Sequence, residues 1–273
     1  MTLTSKHGER QALITNSEQP PTTQTQRFSY LMEIQQLNLN TAILQLGDDF
    51  GSNAPSLIAH INTAVLAYFN ERIINTIPAY TSLLVEFSLQ HHTMANCLTE
   101  LEQQAAAAKS HYQTHKRSGR IVDIPVYYHP SVGHDLEQIM HSKNISLEHL
   151  IKLHTGVQYQ VQAVGFIPGF AYLGELDPAL HTNRLARPRA NVPKGSVAIA
   201  EQQTAVYPRA TPGGWHIIGR TPIDVFHITP KGDIAHTFEL GDTVQFRSIS
   251  ETDFFALGGD LSNSAQAAAS AKS

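Results

Sequence analysis

Cysteine, tryptophan and long apolar runs are the scarcest features of this 273-residue sequence. It contains one cysteine, Cys97, and one tryptophan, Trp215. A lone cysteine excludes an intrachain disulfide and is typical of a reducing compartment. No run of 18 apolar residues occurs, and residues 1–26 lack the apolar core of a signal peptide. We therefore expect a soluble, cytoplasmic protein without a membrane partner.

Charge is also scarce. Charged residues make up only 15% of the chain, against about 25% in a typical soluble domain. The 19 lysines and arginines are outnumbered by 23 aspartates and glutamates, which gives a formal net charge of −4. Without a broad basic surface, the chain is not expected to bind nucleic acid.

Three common catalytic motifs are missing as well. No G-x-x-x-x-G-K-[ST] phosphate-binding loop is present, so any ATP has to be bound by another type of site or by another chain. Fifteen histidines occur without an H-E-x-x-H motif or paired cysteines, and no metal site is predicted. A G-x-S-x-G nucleophile motif is absent too.

What the sequence does have is a single change in composition. Residues 165–241 hold 9 of the 17 glycines and 8 of the 14 prolines. Frequent glycine and proline are typical of short strands joined by tight turns. We therefore predict two domains, 27–119 and 120–250, between a disordered leader at 1–26 and a flexible tail at 251–273.

The first half alternates strand and helix patterns. Apolar or alternating runs predict strands near 40–46, 83–89 and 120–126, and helical spacing predicts helices near 57–68 and 94–108. A small sheet with two helices on one face accounts for that order. No catalytic constellation stands out here, so a packing or docking role is the favoured interpretation.

Two helices and a strand open the second half, near 133–141, 146–154 and 157–163. His154 lies in the last turn of its helix, where the helix dipole favours a protonated imidazole. From position alone, a core-edge histidine bonded to a backbone carbonyl is the simpler interpretation. The next residues, 165–174, hold two phenylalanines and a tyrosine among glycines and a proline. They form either the rim of a pocket or the plug of a barrel end.

Cationic residues concentrate between residues 179 and 220. This window holds six lysines and arginines against the single acid Glu201, a local charge of +5. Arginine suits carboxylate or phosphate groups, and several of these cations adjoin rigid proline or glycine turns. The window therefore predicts an anion-binding site. Its cations are Arg184, Arg187, Arg189, Lys194, Arg209 and Arg220.

A series of short motifs carries a resemblance to one protein family. The motifs are Ile124-Pro125-Val126, Asp135-Leu136, Leu153-His154, Gly165-Phe166-Ile167-Pro168-Gly169-Phe170, Tyr172-Leu173, Pro188-Arg189, Val192-Pro193-x-Gly195-Ser196-Val197, Tyr207-Pro208, Pro212-Gly213-Gly214-Trp215, Ile218-Gly219-x-Thr221 and Gly241-Asp242-x-Val244-x-Phe246. In this order they resemble the KipI family, also called allophanate hydrolase subunit 1 or the B subunit of 5-oxoprolinase. The resemblance covers about residues 30–250.

The resemblance implies an α+β chain with an N-terminal ferredoxin-like α/β domain and a C-terminal cyclophilin-like β-barrel domain. It implies an ATP-dependent 5-oxoprolinase, in which this B subunit works with a LamB/YcsF-type A subunit, and with a KipA-type C subunit, to hydrolyse 5-oxoproline to L-glutamate. ATP is then bound by the assembled complex, and the chain alone is expected to be inactive. Two alternatives stay open. They are a non-catalytic KipI-type inhibitor of a sensor histidine kinase and a subunit of a urea- or allophanate-processing assembly.

The resemblance also suggests roles for single residues. Arg189 and Arg184 are expected to bind the carboxylate or phosphate of a small anionic substrate, with Arg189 counted among the catalytic residues. His154, the second catalytic residue, is expected to transfer a proton and to titrate near neutrality. The other residues assigned to substrate or anion binding are Phe170, Tyr172, Ser196, Tyr207 and Trp215.

Overall fold

The computed structural model describes residues 32–90, 92–114, 119–229 and 234–261, so the leader predicted at 1–26 lies outside the described residues. The strands within these ranges are β1 (Met32–Gln36), β2 (Thr41–Leu46), β3 (Ile73–Ala79), β4 (Ser82–Phe87), β5 (Ile121–Val126), β6 (Gln158–Val164), β7 (Ala171–Gly174), β8 (Arg189–Val192), β9 (Ser196–Ala200), β10 (Gln203–Val206), β11 (Thr211–Gly213), β12 (His216–Arg220), β13 (Phe226–Ile228), β14 (Ile234–His236) and β15 (Thr243–Ser248). The α-helices are α1 (Ala54–Phe69), α2 (Met94–Thr114), α3 (Leu136–Lys143), α4 (Leu147–Thr155) and α5 (Glu251–Ala256). Among these helices, none combines the length and the apolar character needed to cross a bilayer.

An antiparallel sheet in the order β1-β2-β4-β3 forms the first part of the fold. Helices α1 and α2 pack together against this sheet, and one apolar cluster fills the space between helices and strands. Leu83, Val85 and Phe87 of β4 are fully buried in that cluster, because alternate side chains of a strand share one face of the sheet. This arrangement matches the small sheet with two helices predicted for the first half.

The second part is a longer and mainly antiparallel sheet. Its path continues from β3 through β6, β7, β10 and β9 to β12. Strand β15 pairs with β6 on one side and, in parallel, with β5 on the other. A single residue pair, Ala79 and Ala163, joins this sheet to the N-terminal one. Strand β5 followed the strand and helix pattern of the first half in the sequence, but it belongs to the second sheet and lies after the predicted domain boundary at residue 119.

The mixed α+β class predicted from the sequence is confirmed, but the β-barrel is not closed. Among the described strands, β12 and β5 do not form a ladder with each other. Their backbone pairing is limited to the isolated bridge between Tyr127, which follows β5, and Arg220. A β-bulge between Ile217 and Gly219 interrupts the register of β12 just before this point. The sheet is therefore an open one.

Strand β9 is buried on both of its faces, and this creates two separate cores. Val197 and Ile199 belong to a large apolar cluster beneath α3 and α4. Ala198 and Ala200 point to a smaller, mainly aromatic cluster, to which β8 contributes Val192. The candidate site lies beside this aromatic cluster.

The segment predicted as a flexible tail from residue 251 begins with helix α5 instead. The Ser250 side chain caps this helix by accepting a hydrogen bond from the Asp253 amide at 3.1 Å. Phe254 is fully buried in a cluster with Tyr127 and Val132. A capped helix with a docked aromatic side chain is ordered, and composition alone gave no sign of that contact. Residues 262–273 lie outside the described residues.

Candidate functional site

A pocket of about 270 Å³ opens beside the aromatic cluster of β9. Its walls come from the loop before β7, from β7 itself and from the segment between β7 and β8. The residue that follows β10, strand β11 and the turn after β11 complete them. The pocket brings together five of the eight site residues assigned from the sequence. Its lining residues are Phe166, Phe170, Tyr172, Arg184, Leu185, Pro188, Tyr207, Pro212, Gly213, Gly214 and Trp215.

Phe170 organises the aromatic wall of this pocket. Its ring makes edge-to-face contacts with Tyr172 at 5.0 Å, Tyr207 at 5.4 Å and Trp215 at 5.8 Å between ring centroids. Edge-to-face packing fixes the orientation of each ring, and Phe170 is only 2% exposed. The segment 165–174 therefore forms a wall of the pocket and also fills the small aromatic core.

Tyr207 supplies a neutral hydroxyl at the base of the pocket. Burial raises the pKa of its phenol to about 12, so it stays protonated at physiological pH. The hydroxyl oxygen lies against Gly213, where a Cβ atom would overlap it. Gly213 thus has a definite structural use, because the absence of a Cβ there makes room for Tyr207.

Arg184 provides the positive charge of the pocket. Its Nε lies 3.1 Å from Oε1 of Glu201, and both side chains are 55% exposed. Exposed ion pairs of this kind contribute only about 0–1 kcal/mol. The guanidinium group is therefore held loosely and is free to exchange Glu201 for the carboxylate of a ligand.

Arg189 and Ser196, which were assigned to the same site, do not line the aromatic pocket. The Arg189 side chain is 5% exposed and donates from Nη2 to Oδ1 of Asp135 at 2.5 Å. Asp135 Oδ2 accepts a second hydrogen bond, from the Ile217 amide at 2.6 Å. This buried pair ties the start of α3 to β8 and β12. Ser196 is fully buried at the first position of β9.

His154 lies in the large apolar core and not in the pocket. Its Nδ1 lies 2.7 Å from the Tyr128 hydroxyl and its Nε2 lies 2.9 Å from Thr204 Oγ1. Because the Thr204 hydroxyl donates to the Ala198 carbonyl at 3.1 Å, it accepts from Nε2–H, and Nδ1 accepts from Tyr128. Both ring nitrogens are satisfied in the neutral form.

The expectation that His154 titrates near neutrality is wrong. Full burial lowers the pKa of the imidazole to about 3. The dipole of α4 favours the cation, but desolvation in the apolar core opposes it and is the larger effect. The simpler interpretation, a structural histidine of the core, agrees with this environment, although the hydrogen-bond partners are two side chains and not a backbone carbonyl.

The described lining of the pocket contains neither a histidine nor a carboxylate. The Glu201 carboxylate lies beside this lining, at Arg184. The aromatic faces suit a small flat molecule, and Arg184 suits its negative charge. Within the described ranges, no three histidine, cysteine, aspartate or glutamate side chains converge closely enough to hold a metal ion.

Sequence reasoning missed Asp135 and Glu201 as partners of the two arginines. Asp135 has the position of an N-cap residue before α3, yet its side chain makes no capping bond. Its oxygens are used by Arg189 and Ile217 instead, which are 54 and 82 residues away along the chain. Two signals were available in the sequence: Glu201 is the only acid in the cationic window, and Asp135 belongs to one of the motifs that carry the family resemblance.

Comparison with known proteins places this chain in a family. The family model for the carboxyltransferase domain, subdomain C and D, matches residues 32–234. A protein from Bacillus subtilis (strain 168), named as the B subunit of 5-oxoprolinase, is 33% identical over 238 residues, which are 82% of this chain and 95% of the relative. Its namesake from Escherichia coli O157:H7 is 45% identical over 127 residues, or 46% of this chain and 57% of the relative.

Solved structures share this fold. The crystal structure of TTHA0988 matches with a TM-score of 0.65 and 29% identity over 77% of this chain, which spans about 40% of that longer protein. Urea carboxylase from Kluyveromyces lactis shares the fold at 16% identity, with a TM-score of 0.61 over 87% of this chain and 23% of the enzyme. The extent of the family match and the full-length bacterial relative together show that this chain belongs to the family of the carboxyltransferase domain, subdomain C and D, together with proteins named as the B subunit of 5-oxoprolinase.

Proposed function

We propose that this chain is the B subunit of an ATP-dependent 5-oxoprolinase complex, which hydrolyses 5-oxoproline to L-glutamate. Its partners in this proposal are a LamB/YcsF-type A subunit, as well as a KipA-type C subunit. The relatives from two bacteria that carry the name of the 5-oxoprolinase B subunit support the assignment. So does the pocket, whose chemistry fits a small lactam with one carboxylate.

The observation that carries the proposal is the pairing of an aromatic wall with one exchangeable cation. 5-Oxoproline is a five-membered lactam ring with a carboxylate on one carbon. The rings of Phe170, Tyr172 and Trp215 offer flat apolar surfaces for the lactam ring. Arg184 then binds the carboxylate in place of the exposed Glu201 carboxylate.

The Tyr207 hydroxyl completes the binding of the lactam. Because burial keeps this phenol protonated, it can donate a hydrogen bond to the lactam oxygen. A fixed neutral donor of this kind holds the lactam oxygen in position for its phosphorylation. Tyr207 is held in place by Phe170 and by the turn at Gly213.

A resonance-stabilised lactam does not open readily without activation. ATP provides the activation by phosphorylating the lactam oxygen. The described pocket lining has no carboxylate or imidazole to act as a general base. The base and the ATP site therefore belong to the assembled complex, and the isolated chain is expected to be inactive.

Reconstitution tests this proposal. The chain is mixed with candidate LamB/YcsF-type and KipA-type partners, and 5-oxoproline-dependent ADP release is measured for each combination. We expect ADP release only when all three proteins are present. Full turnover by this chain alone, or no turnover in any mixture, would contradict the proposal. Inhibition of a sensor histidine kinase without any ADP release would favour the regulatory alternative.

Substitution of Arg184 at the pocket mouth tests substrate binding, and Arg187 provides the matched control. Arg184→Gln removes a charge-assisted hydrogen bond worth about 1.5–3 kcal/mol, so kcat/KM for 5-oxoproline should fall roughly tenfold or more. Arg187→Gln changes an exposed arginine three positions away that does not line the pocket, and it should leave kcat/KM unchanged. Equal values for the two variants would remove Arg184 from substrate binding.

A further inference from the structure

A second group of cations lies buried behind the aromatic pocket. Arg189 is 5% exposed and Arg220 is 4% exposed. Among the described residues, Nε and Nη1 of Arg189 and Nε and Nη2 of Arg220 have no hydrogen-bond partner. The hydroxyl of Ser196, which is fully buried, is also without a partner in this part of the chain. Buried donors of this kind cost free energy unless an acceptor meets them.

The fold brings these donors to one place. Ser196 and Arg220 face each other directly in the ladder between β9 and β12, so their side chains lie on the same face of the sheet. Arg189 reaches the same strand from β8, since its partner Asp135 also binds the Ile217 amide of β12.

His134 connects the two arginines. The side chain is half-buried, and its Nε2 has no partner among the described residues. Burial lowers the pKa of this imidazole, and the neighbouring Arg220 and Arg189 lower it further, while Asp135 opposes the shift. One imidazole therefore lies within the electrostatic reach of both guanidinium groups.

Each arginine lies beside one acid, yet most of its donors stay unused. Asp135 binds Nη2 of Arg189 through its carboxylate. Arg220 donates from Nη1 to the backbone carbonyl of Asp260 at 2.8 Å, and the charge of Asp260 opposes the lowering of the Arg220 pKa by burial. These contacts use one nitrogen of each guanidinium group, and the other two nitrogens of each have no acceptor among the described residues.

We propose that Arg189, Ser196, Arg220 and His134 form an internal binding site for a phosphate-class oxyanion. Among the described residues, six nitrogen and oxygen atoms of these side chains have no hydrogen-bond partner. These atoms come from three strands and from the loop before α3. Six such atoms are more than the two oxygens of a carboxylate readily accommodate. A tetrahedral oxyanion accepts hydrogen bonds in several directions, and arginine forks match its geometry.

This site is separate from the aromatic pocket. Arg220 lines a cavity of about 220 Å³ together with Lys194, Thr221 and the acids Asp224 and Asp260, and the cavity shares no lining residue with the aromatic pocket. The cavity gives an anion access to Arg220 from outside. Because the proposal depends only on the unpartnered donors, it holds whether or not the chain acts on 5-oxoproline.

Isothermal titration of the purified full chain with inorganic phosphate tests the site. Ionic strength is held constant with chloride, and acetate is titrated in parallel as a carboxylate. We expect saturable binding of one phosphate per chain and weaker binding of acetate. Absence of saturable phosphate binding, or tighter binding of acetate than of phosphate, would overturn the proposal.

Two variants locate the bound phosphate. Arg220→Met should weaken phosphate binding about tenfold or more, because a charge-assisted pair is lost. Lys194→Met changes an exposed cation of the same cavity, already paired with Asp224 at 2.8 Å, and should leave the affinity within about twofold. Equal affinity of wild type and Arg220→Met would overturn the proposal. If Arg220→Met does not fold, Ser196→Ala serves instead. It should weaken binding several-fold, and an unchanged affinity would again overturn the site.

Discussion

Arg184 and Arg189 stand five positions apart in one cationic window, yet the fold gives them opposite environments. Arg184 is 55% exposed and meets an equally exposed Glu201. Arg189 is 5% exposed and meets a buried Asp135 that also binds the backbone of β12. The comparison teaches that exposure decides what a cation can do. The first pair is exchangeable and suits a ligand that comes and goes, whereas the second pair holds elements of the fold together.

The sharpest test of this comparison removes the acid from each pair. Asp135→Ala leaves a buried guanidinium without its carboxylate and the Ile217 amide without its acceptor. We expect the free energy of unfolding to fall by about 3–5 kcal/mol. Glu201→Ala removes the exposed partner and should cost at most about 1 kcal/mol. Urea unfolding of both variants provides the measurement, and similar losses in the two would contradict the distinction.

The next test concerns His154, the buried residue first assigned to proton transfer. Burial lowers the pKa of this imidazole to about 3, whereas a histidine in the unfolded chain titrates near about 6.5. As the pH falls, the unfolded state takes up the proton first. The stability that neutral His154 provides is therefore complete above about pH 6.5 and is lost by about 1.4 kcal/mol per pH unit towards pH 3.

His154→Gln should lack this contribution to the pH dependence of unfolding. The comparison is made by urea unfolding at pH 7, 6 and 5, with His149→Gln on the exposed side of α4 as the control that keeps the wild-type slope. In the reconstituted complex, His154→Gln should leave the shape of the pH–rate profile unchanged. If the pH–rate profile of His154→Gln lacks a limb near neutral pH that the wild type shows, His154 takes part in proton transfer and the account is wrong.

A smaller effect is expected from the glycines of the pocket turn. A Cβ at Gly213 would overlap the Tyr207 hydroxyl, so Gly213→Ala should destabilise the chain by about 1–3 kcal/mol through overpacking. A Cβ at Gly214 would meet its nearest neighbour, Pro188, at an ordinary 3.7 Å. Gly214→Ala should therefore stay within about 0.5 kcal/mol of the wild type. Thermal unfolding distinguishes the two variants. Equal stability would contradict the prediction, because it would show that the Tyr207 side chain moves aside without cost in free energy.

The smallest effect on stability is expected at the pocket mouth itself. Arg184→Gln breaks only an exposed ion pair, so the free energy of unfolding should change by less than about 1 kcal/mol. A larger loss in urea unfolding would mean that Arg184 supports the fold as Arg189 does, and the comparison between the two arginines would fail.

Local patterns predicted much of the fold. Strands β2, β4 and β6 and helices α1, α2 and α4 form where alternation or helical spacing placed them, because burial on one face imposes that periodicity. Strand β3 was missed, since its sequence contains Pro78 and its outward side chains Ile74 and Ile77 are more than half exposed. An edge-like strand with exposed apolar residues gives no clean alternation.

The site was predictable in part, for a related reason. Phe170, Tyr172, Tyr207 and Trp215 converge because glycine and proline shape the loops that carry them, and those residues are visible in the sequence. Burial of individual polar side chains was not visible. Neither the desolvation of His154 nor the contact between Arg189 and Asp135 follows from spacing, since both depend on segments about 50 residues or more apart along the chain.

The central claim, that the aromatic pocket binds 5-oxoproline through Arg184, can be tested by the fluorescence of the only tryptophan, Trp215, which lines that pocket. The isolated chain is titrated with 5-oxoproline. We predict a saturable change in fluorescence that requires roughly tenfold more ligand in Arg184→Gln and the same amount of ligand in Arg187→Gln. An unchanged fluorescence, or an identical titration in all three proteins, would contradict the claim.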